Sequence, residues 1–275
     1  MATIQVQGKQ LEYFEAGLGD NVVVLIHGAG SSALIWDTVQ SQMAAEGYHV
    51  YAISLPGAGQ SHRPIELAAY QPASYARDIK GALHALEIKR FAIVGHSLGV
   101  SNVLYLAADY CEGFDIRAMI LMAGGGGGQR QAPSVEEADA IRKNWPHPDP
   151  AGEDERRRVW EKLHMGLSED VRDQLWRDIN NNPFERAFGQ RISPRKDMRA
   201  FLNNTDIPTL IVSGDSDSVV PLKLTLQMYP ELPREKRHLH VFHGIDHYPN
   251  AEVPDEISRV YMEFLDDKYG SAAVE

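Results

Sequence analysis

The sequence has little that would suit an oxidising compartment, a membrane or a secretory pathway. It contains one cysteine, Cys111, in 275 residues, so no intramolecular disulfide can form and a reducing, cytoplasmic location is the default expectation. No stretch approaches the roughly 20 consecutive apolar residues that span a bilayer. The opening MATIQV also lacks the basic and apolar regions of a secretory signal.

Basic residues are in deficit, with 27 Lys and Arg against 38 Asp and Glu. The resulting net charge of −11 argues against a nucleic-acid partner, because binding to a phosphate backbone needs clustered positive charge. The deficit is uneven: residues 129–200 carry 14 basic and 14 acidic residues, and the remainder carries 13 and 24. This contrast indicates a charge-balanced segment inserted into an acidic body.

Short apolar runs, rich in β-branched residues, recur along the chain and indicate buried strands. They occupy residues 21–26, 50–53, 91–94, 118–122, 209–212 and 240–242. Helical patterns separate them, as at residues 79–86, where Ser74 is a candidate N-cap. Strands that alternate with helices predict an α/β fold with a mostly parallel sheet flanked by helices. A hairpin around Gly8 adds two antiparallel edge strands, giving eight strands in all.

The alternation stops after residue 122 and returns near residue 207. Five glycines, 124–128, open the interruption, which also contains helical patterns and three tryptophans, Trp145, Trp160 and Trp176. Such apolar surface could roof a pocket. We therefore predict a core formed by residues 1–123 and 206–275, with a helical cap over residues 124–205.

Gly95-His96-Ser97-Leu98-Gly99 fits the pattern G-x-S-x-G and indicates a serine nucleophile. It lies between a predicted strand and a predicted helix. A serine on so sharp a turn adopts a strained backbone, and the residues two before and two after it must be small. The start of the helix directs free N–H groups at the reaction centre. The five residues alone would also fit a helix-capping serine in a glycine turn.

With these residues the chain resembles the α/β-hydrolase superfamily over nearly its whole length. The resemblance rests on HGAG at 27–30, LPGAGQS at 55–61, the motif at 95–99, the cap-sized insertion, GDSD at 214–217 and a late histidine. The order Ser, Asp, His is that of the family. The chain departs from the family at Ser54 and Ala58, where Asp and His are common, and at Val100, where Gly is common.

The resemblance implies a base for the serine, whose hydroxyl is a poor nucleophile until an imidazole takes its proton. His247 matches the family's position in the loop after the last strand, and His243, at the strand end, is the alternative. His238 and His240 share one face of that strand and are interpreted as ordinary strand residues. No metal and no cofactor is expected.

The carboxylate that orients the imidazole is expected after a late strand. Asp217 follows the strand-ending Gly214 by three positions and precedes a proline, as in the family; Asp215 and Asp246 are the alternatives. For the oxyanion hole, the resemblance implies the backbone N–H groups of Leu98 and Ala29.

The resemblance implies an enzyme that acts on a small molecule. The first hypothesis is hydrolysis of a carboxylic ester or lactone with a fairly apolar acyl group, through an acyl-enzyme. A second is hydrolysis of a carbon–carbon bond in ring-cleavage products, although Ser31 and Ser32 stand where such enzymes often have Gly-Pro-Gly. Hydroxynitrile lyase and perhydrolase activity need only the same triad. A ligand-binding, receptor-like homologue is the alternative from another class, and a homo-oligomer remains open.

Overall fold

A computed structural model of the chain describes residues 1–125, 128–143 and 153–269. Gly126, Gly127 and Trp145, which the sequence analysis singles out, lie outside these residues. Within the described ranges, no helix combines the length and the apolar character that crossing a membrane requires.

The described residues form one eight-stranded sheet. Its strands are β1 (Ala2–Val6), β2 (Lys9–Ala16), β3 (Asn21–Ile26), β4 (Tyr48–Ile53), β5 (Arg90–His96), β6 (Asp115–Met122), β7 (Thr209–Gly214) and β8 (Arg237–Phe242). Their order is β1-β2-β4-β3-β5-β6-β7-β8. The β1–β2 and β2–β4 pairs are antiparallel and all other pairs are parallel. The predicted α/β class, the strand number and the antiparallel hairpin are confirmed.

Helices connect the strands. They are α1 (Asp37–Ala45), α2 (Pro72–Ala85), α3 (Leu98–Asp109), α4 (Val135–Lys143), α5 (Glu153–Leu163), α6 (Glu169–Asn180), α7 (Phe184–Ile192), α8 (Arg199–Asn204), α9 (Leu222–Thr225), α10 (Pro249–Glu252) and α11 (Pro254–Tyr269). The N-cap prediction is wrong: α2 begins at Pro72 and Ser74 lies inside it. The ring of Pro72 fixes a helical φ at the first position, where a missing N–H costs nothing.

The sheet is buried on both faces because helices cover each side. Val24 and Ile26 of β3 belong to the apolar cluster beneath α2 and α3. Val23 and Leu25 point the other way and pack in the cluster that includes α1 and α11 residues. This two-sided burial explains why the central strands read as unbroken apolar runs. Because the carboxyl ends of parallel strands share one edge, the loops after β3, β5, β6 and β7 meet there.

Candidate active site

Ser97 lies in the turn between β5 and α3 with φ 54° and ψ −115°, a backbone conformation that residues with a side chain rarely adopt. Its N–H donates a hydrogen bond of 2.8 Å to the carbonyl of Met122 at the end of β6. The turn therefore holds the serine side chain, which is partly exposed, at the carboxyl edge of the sheet.

Glycines around this turn are required by contact distances. A Cβ atom on Gly95 would lie 2.6 Å from the carbonyl oxygen of Gly99, and one on Gly99 would lie 2.6 Å from that of Ile26. A Cβ on Gly28 would lie 2.9 Å from the Cβ of Ser97. The steric requirement that the sequence motif predicts at positions 95 and 99 is met.

Ser97, His247 and Asp217 form one chain of hydrogen bonds. The Nε2 atom of His247 lies 3.0 Å from Ser97 Oγ, and its Nδ1 atom lies 2.9 Å from Asp217 Oδ2. Both His247 and Asp217 are buried. A carboxylate only accepts hydrogen bonds, so Nδ1 carries the proton and the lone pair of Nε2 points at the serine hydroxyl.

Backbone groups hold the carboxylate in place. The N–H groups of Val219 and Val220 donate to Asp217 Oδ1 over 2.9 and 2.7 Å. Oδ1 also lies 3.1 Å from Nδ1 of His247. The two backbone bonds therefore fix the orientation of the carboxylate beside the imidazole.

The alternative residues serve other contacts. His243 has a side chain that is 98% exposed, and its Nδ1 atom lies 2.7 Å from Asp215. Asp246 accepts hydrogen bonds from the N–H and the hydroxyl of Ser218. The structure thus brings together Ser97, His247 and Asp217 and leaves these alternatives in the surrounding loops.

Comparison with known proteins identifies the family of the chain. The family model described as "alpha/beta hydrolase fold" matches residues 21–249, more than half of the chain. The chain belongs to the alpha/beta-hydrolase family.

The proteins to which this α/β hydrolase is similar are named for different activities. It is 28% identical over 261 residues to a 2-hydroxy-6-oxononadienedioate/2-hydroxy-6-oxononatrienedioate hydrolase from a Pseudomonas species, covering 91% of this chain and 90% of the relative. It is similar to the meta-cleavage product hydrolase CumD from Pseudomonas fluorescens (TM-score 0.76, 25% identity, 97% of each chain). A putative aryl esterase from Burkholderia cenocepacia has a TM-score of 0.80 at 20% identity, over 96% of this chain and 97% of that one, and shows the fold alone.

His96 does not contact the serine as a base would, and instead holds the histidine loop. Its Nε2–H donates to the carbonyl of His247 over 2.8 Å, and the two rings lie 4.8 Å apart. Burial lowers the pKa of His96 well below its ordinary value, and a positive charge on His247 would lower it further. His96 is therefore a neutral donor throughout the neutral pH range.

Tyr248 and Glu252, which follow His247 in the chain, also belong to the site. The sequence motif does not identify them. The ring of Tyr248 lies 5.1 Å from that of His247, and burial, reinforced by the charge of Asp217, raises the pKa of its hydroxyl to about 12. The carboxylate of Glu252 accepts from the N–H groups of Asp246 and Tyr248 over 3.1 and 3.2 Å. Burial raises the pKa of Glu252. The amides on both sides of His247 are thus anchored.

The loop after β3 lies beside the serine. His27 is buried; its Nδ1–H donates to the carbonyl of Gly28 over 2.8 Å, and its Nε2 accepts from the N–H of Leu55 over 3.0 Å. Burial, with a smaller effect of the Arg186 charge, lowers the pKa of His27 to about 3. His27 therefore braces the loop as a neutral side chain. Leu98 begins α3, so its N–H has no acceptor within the helix, and Ala29 is exposed.

Two helices of the segment between β6 and β7 hold the same loop. Ser32 donates to Asp178 of α6 over 2.7 Å, and Arg186 of α7 donates to the carbonyl of Ser31 over 3.0 Å. Arg186 is only 1% exposed. These contacts place charged side chains of opposite sign over the backbone next to Ala29.

The described residues contain no group of three or more His, Cys, Asp or Glu arranged to hold a metal ion. His238 packs on Phe264, with ring centres 5.0 Å apart, and His240 packs on Phe242 at 4.4 Å. Both histidines of β8 thus have ordinary packing partners, one on α11 and one on β8 itself.

Proposed function

We propose that this α/β hydrolase uses Ser97 as nucleophile, His247 as general base and Asp217 to orient the imidazole, and that it hydrolyses a carbon–carbon bond next to a ketone. The observation that carries the proposal is the 3.0 Å contact between His247 Nε2 and Ser97 Oγ, backed by the buried His247–Asp217 pair. A silent binding pocket would not need this alignment of acceptor and hydroxyl.

The first step follows from that contact. Ser97 Oγ attacks the carbonyl carbon and forms a carbon–oxygen bond, while its proton passes to His247 Nε2. The negative charge that develops on the carbonyl oxygen is stabilised by the N–H groups of Leu98 and Ala29. The loop that carries Ala29 needs to stay in place during this step, and the bonds of Arg186 to Ser31 and of Asp178 to Ser32 support that.

The second step breaks the bond. For a 2-hydroxy-6-oxo-dienoate in its keto tautomer, the electron pair of the C5–C6 bond is delocalised over the unsaturated chain toward the oxygen at carbon 2. That oxygen takes its proton from the His247 imidazolium, and the fragment leaves as a 2-hydroxy-dienoate. A water molecule, deprotonated by the same imidazole, then hydrolyses the acyl-enzyme and returns Ser97 to its starting state.

The choice of bond rests on sequence relatives rather than on the triad, which serves esters equally well. The relatives named as hydrolases of 2-hydroxy-6-oxo-dienoates match more than 90% of the chain. They favour carbon–carbon hydrolysis over the ester hypothesis that comes first in the sequence analysis.

Ester hydrolysis is the second candidate, and Ser31 and Ser32 favour it. Both are buried where carbon–carbon hydrolases often have Gly-Pro-Gly, and Ser32 bonds to Asp178. In either case we propose that residues 124–205 act as a cap that bounds the acyl pocket.

The two candidates are separated by kinetics on 2-hydroxy-6-oxononadienedioate and on 4-nitrophenyl butyrate. Carbon–carbon hydrolysis predicts loss of the absorbance of the conjugated substrate with release of one equivalent of succinate. The kcat/KM for this substrate should exceed that for the ester. Turnover of the ester alone would select the second candidate. Failure of both substrates, with no labelling of Ser97 by a fluorophosphonate, would sink the proposal of a serine hydrolase.

A further inference from the structure

Two arginines face each other across a short antiparallel bridge close to the end of β6. The N–H of Arg130 donates to the carbonyl of Arg195 over 2.8 Å, and the N–H of Arg195 donates back over 2.7 Å. Side chains of directly opposed residues project on the same side of such a pair, with Cβ atoms about 5 Å apart. Two like charges are therefore held next to each other, which is destabilising unless an anion offsets them.

Neither arginine has an anionic partner among the described residues. Within the described ranges, no carboxylate oxygen lies within 4 Å of either guanidinium group. The Nε atom of Arg195 is also buried, and no described residue offers it a hydrogen-bond acceptor. The effect of burial, together with the neighbouring charge of Arg130, lowers the pKa of Arg195. The two guanidinium groups can therefore bind an anionic hydrogen-bond acceptor that the described residues do not supply.

The arginines line a cavity of about 120 Å³ whose other polar side chains can donate. Tyr105 accepts the N–H of Lys196 over 2.7 Å, which leaves its hydroxyl proton free to donate. The charge of Lys196 itself is paired with Asp109. Ser101 adds another hydroxyl, and none of the described residues that line the cavity carries a carboxylate.

The cavity lies near the proposed nucleophile. Ser101 is four residues after Ser97, so the rise of about 1.5 Å per residue puts it roughly 6 Å further along α3. Gly125, which follows β6 at the carboxyl edge of the sheet, lines the same cavity. A substrate that reacts at Ser97 would reach the arginines if its anionic group extended about this far along α3.

We infer that Arg130 and Arg195 form a subsite for a carboxylate at the far end of the acyl part of the substrate. This inference rests on the proposed function, because it needs a carbonyl held at Ser97. A carboxylate suits the site because guanidinium groups bind it through paired, charge-assisted hydrogen bonds. The substrate class is then an acyl compound with a second, terminal carboxylate, such as an oxo-dioate.

The test compares mono-4-nitrophenyl glutarate with 4-nitrophenyl pentanoate, which has the same acyl chain length without the second carboxylate. Ser97→Ala protein supplies the rate of spontaneous hydrolysis. The ratio of kcat/KM for the acidic ester to that for the neutral ester is expected to fall about 10- to 100-fold in Arg195→Gln and Arg130→Gln, the range for a lost charge-assisted hydrogen bond. Using a ratio cancels any loss of folded protein.

Arg234→Gln is the matched control, because it removes the same charge from an exposed arginine in the turn before β8 that does not line the cavity. Its ratio is expected to stay within about twofold of the wild-type value, since an exposed charge is screened by solvent. Equal ratios in the wild type and both cavity variants would overturn the subsite and leave the proposed function standing. An equal drop in Arg234→Gln would overturn it as well, in favour of a general charge effect. If the wild-type protein turned over neither these esters nor 2-hydroxy-6-oxononadienedioate faster than Ser97→Ala, the proposed function would fall and the subsite with it. If it turned over the dienedioate alone, an unchanged kcat/KM for that substrate in both cavity variants would overturn the subsite.

Discussion

His96 donates a hydrogen bond of 2.8 Å to the backbone carbonyl of His247, the proposed base. The donor lies on the strand that leads to Ser97, and the acceptor belongs to the loop that carries the imidazole. The distance between nucleophile and base is therefore set in part by a third side chain. Among the described residues, the other ring nitrogen of His96 is buried without a partner.

The first prediction concerns that bond. His96→Phe keeps a ring but removes the donor and leaves the carbonyl of His247 unsatisfied, at a cost of about 1–3 kcal/mol. We expect kcat to fall roughly 10- to 100-fold with little change in KM, because the loop shifts relative to Ser97. His96→Gln, which retains an N–H near the Nε2 position, should restore most of kcat. A rise in KM with an unchanged kcat, or no recovery of kcat in His96→Gln, would argue for a packing role instead.

Ser97 carries both the proposed chemistry and the backbone strain, and two substitutions separate them. Ser97→Ala and Ser97→Gly should both lose turnover and fluorophosphonate labelling. Glycine relieves the strain of φ 54° but costs chain entropy on folding. The Gly variant is expected to exceed the Ala variant by about 1 kcal/mol in free energy of unfolding. Urea titrations measure this difference, and equal stabilities would show that the turn is not strained.

The histidine assignment is tested by a matched pair. His247→Ala should lower kcat by about 10⁴-fold, the usual scale for a lost general base in a triad. His243→Ala should leave kcat unchanged, because that side chain is 98% exposed and contacts Asp215 rather than Ser97. The opposite pattern would move the role of base to His243.

Two buried histidines predict a loss of stability in acid. The folded pKa of His27 is about 3 and that of His96 is also well below the ordinary value of 6.5. As pH falls below about 6.5, these two imidazoles bind protons in the unfolded chain but stay neutral in the folded protein. The free energy of unfolding therefore decreases until the pH reaches the folded pKa. Each histidine adds a slope of at most about 1.4 kcal/mol per pH unit.

Denaturant titrations between pH 6.5 and 4.5 would measure that slope. His27→Gln should reduce the slope of the free energy of unfolding against pH by the contribution of one proton, about 1.4 kcal/mol per pH unit. His243→Gln, at an exposed position, should leave the slope unchanged. An identical slope in wild-type and His27→Gln protein would mean that His27 is protonated in the folded state.

The sequence predicts the fold and the candidate triad because both depend on local patterns and on order along the chain. Ser97 is marked by its glycines, and Asp217 and His247 by their place after strands. The contacts of His96 with His247, and of Arg186 with Ser31, join residues 151 and 155 positions apart. Such pairs depend on how whole elements pack, which no periodicity encodes. Glu252 is not predicted by the sequence for a different reason, since a carboxylate near a loop has no distinctive spacing.

A departure from the family pattern gives the last prediction. Val100 stands three residues after the serine, where Gly is common, and it is fully buried against Gly124 after β6. A Cβ atom on Gly124 would lie 2.4 Å from Cγ2 of Val100, so the absent side chain at 124 makes room for the valine. Gly124→Ala should therefore cost about 1–3 kcal/mol of stability through overpacking. In a Val100→Ala background the same change should cost much less, and thermal unfolding of the four proteins gives the coupling. Additive effects would mean that the two positions do not compete for the same space.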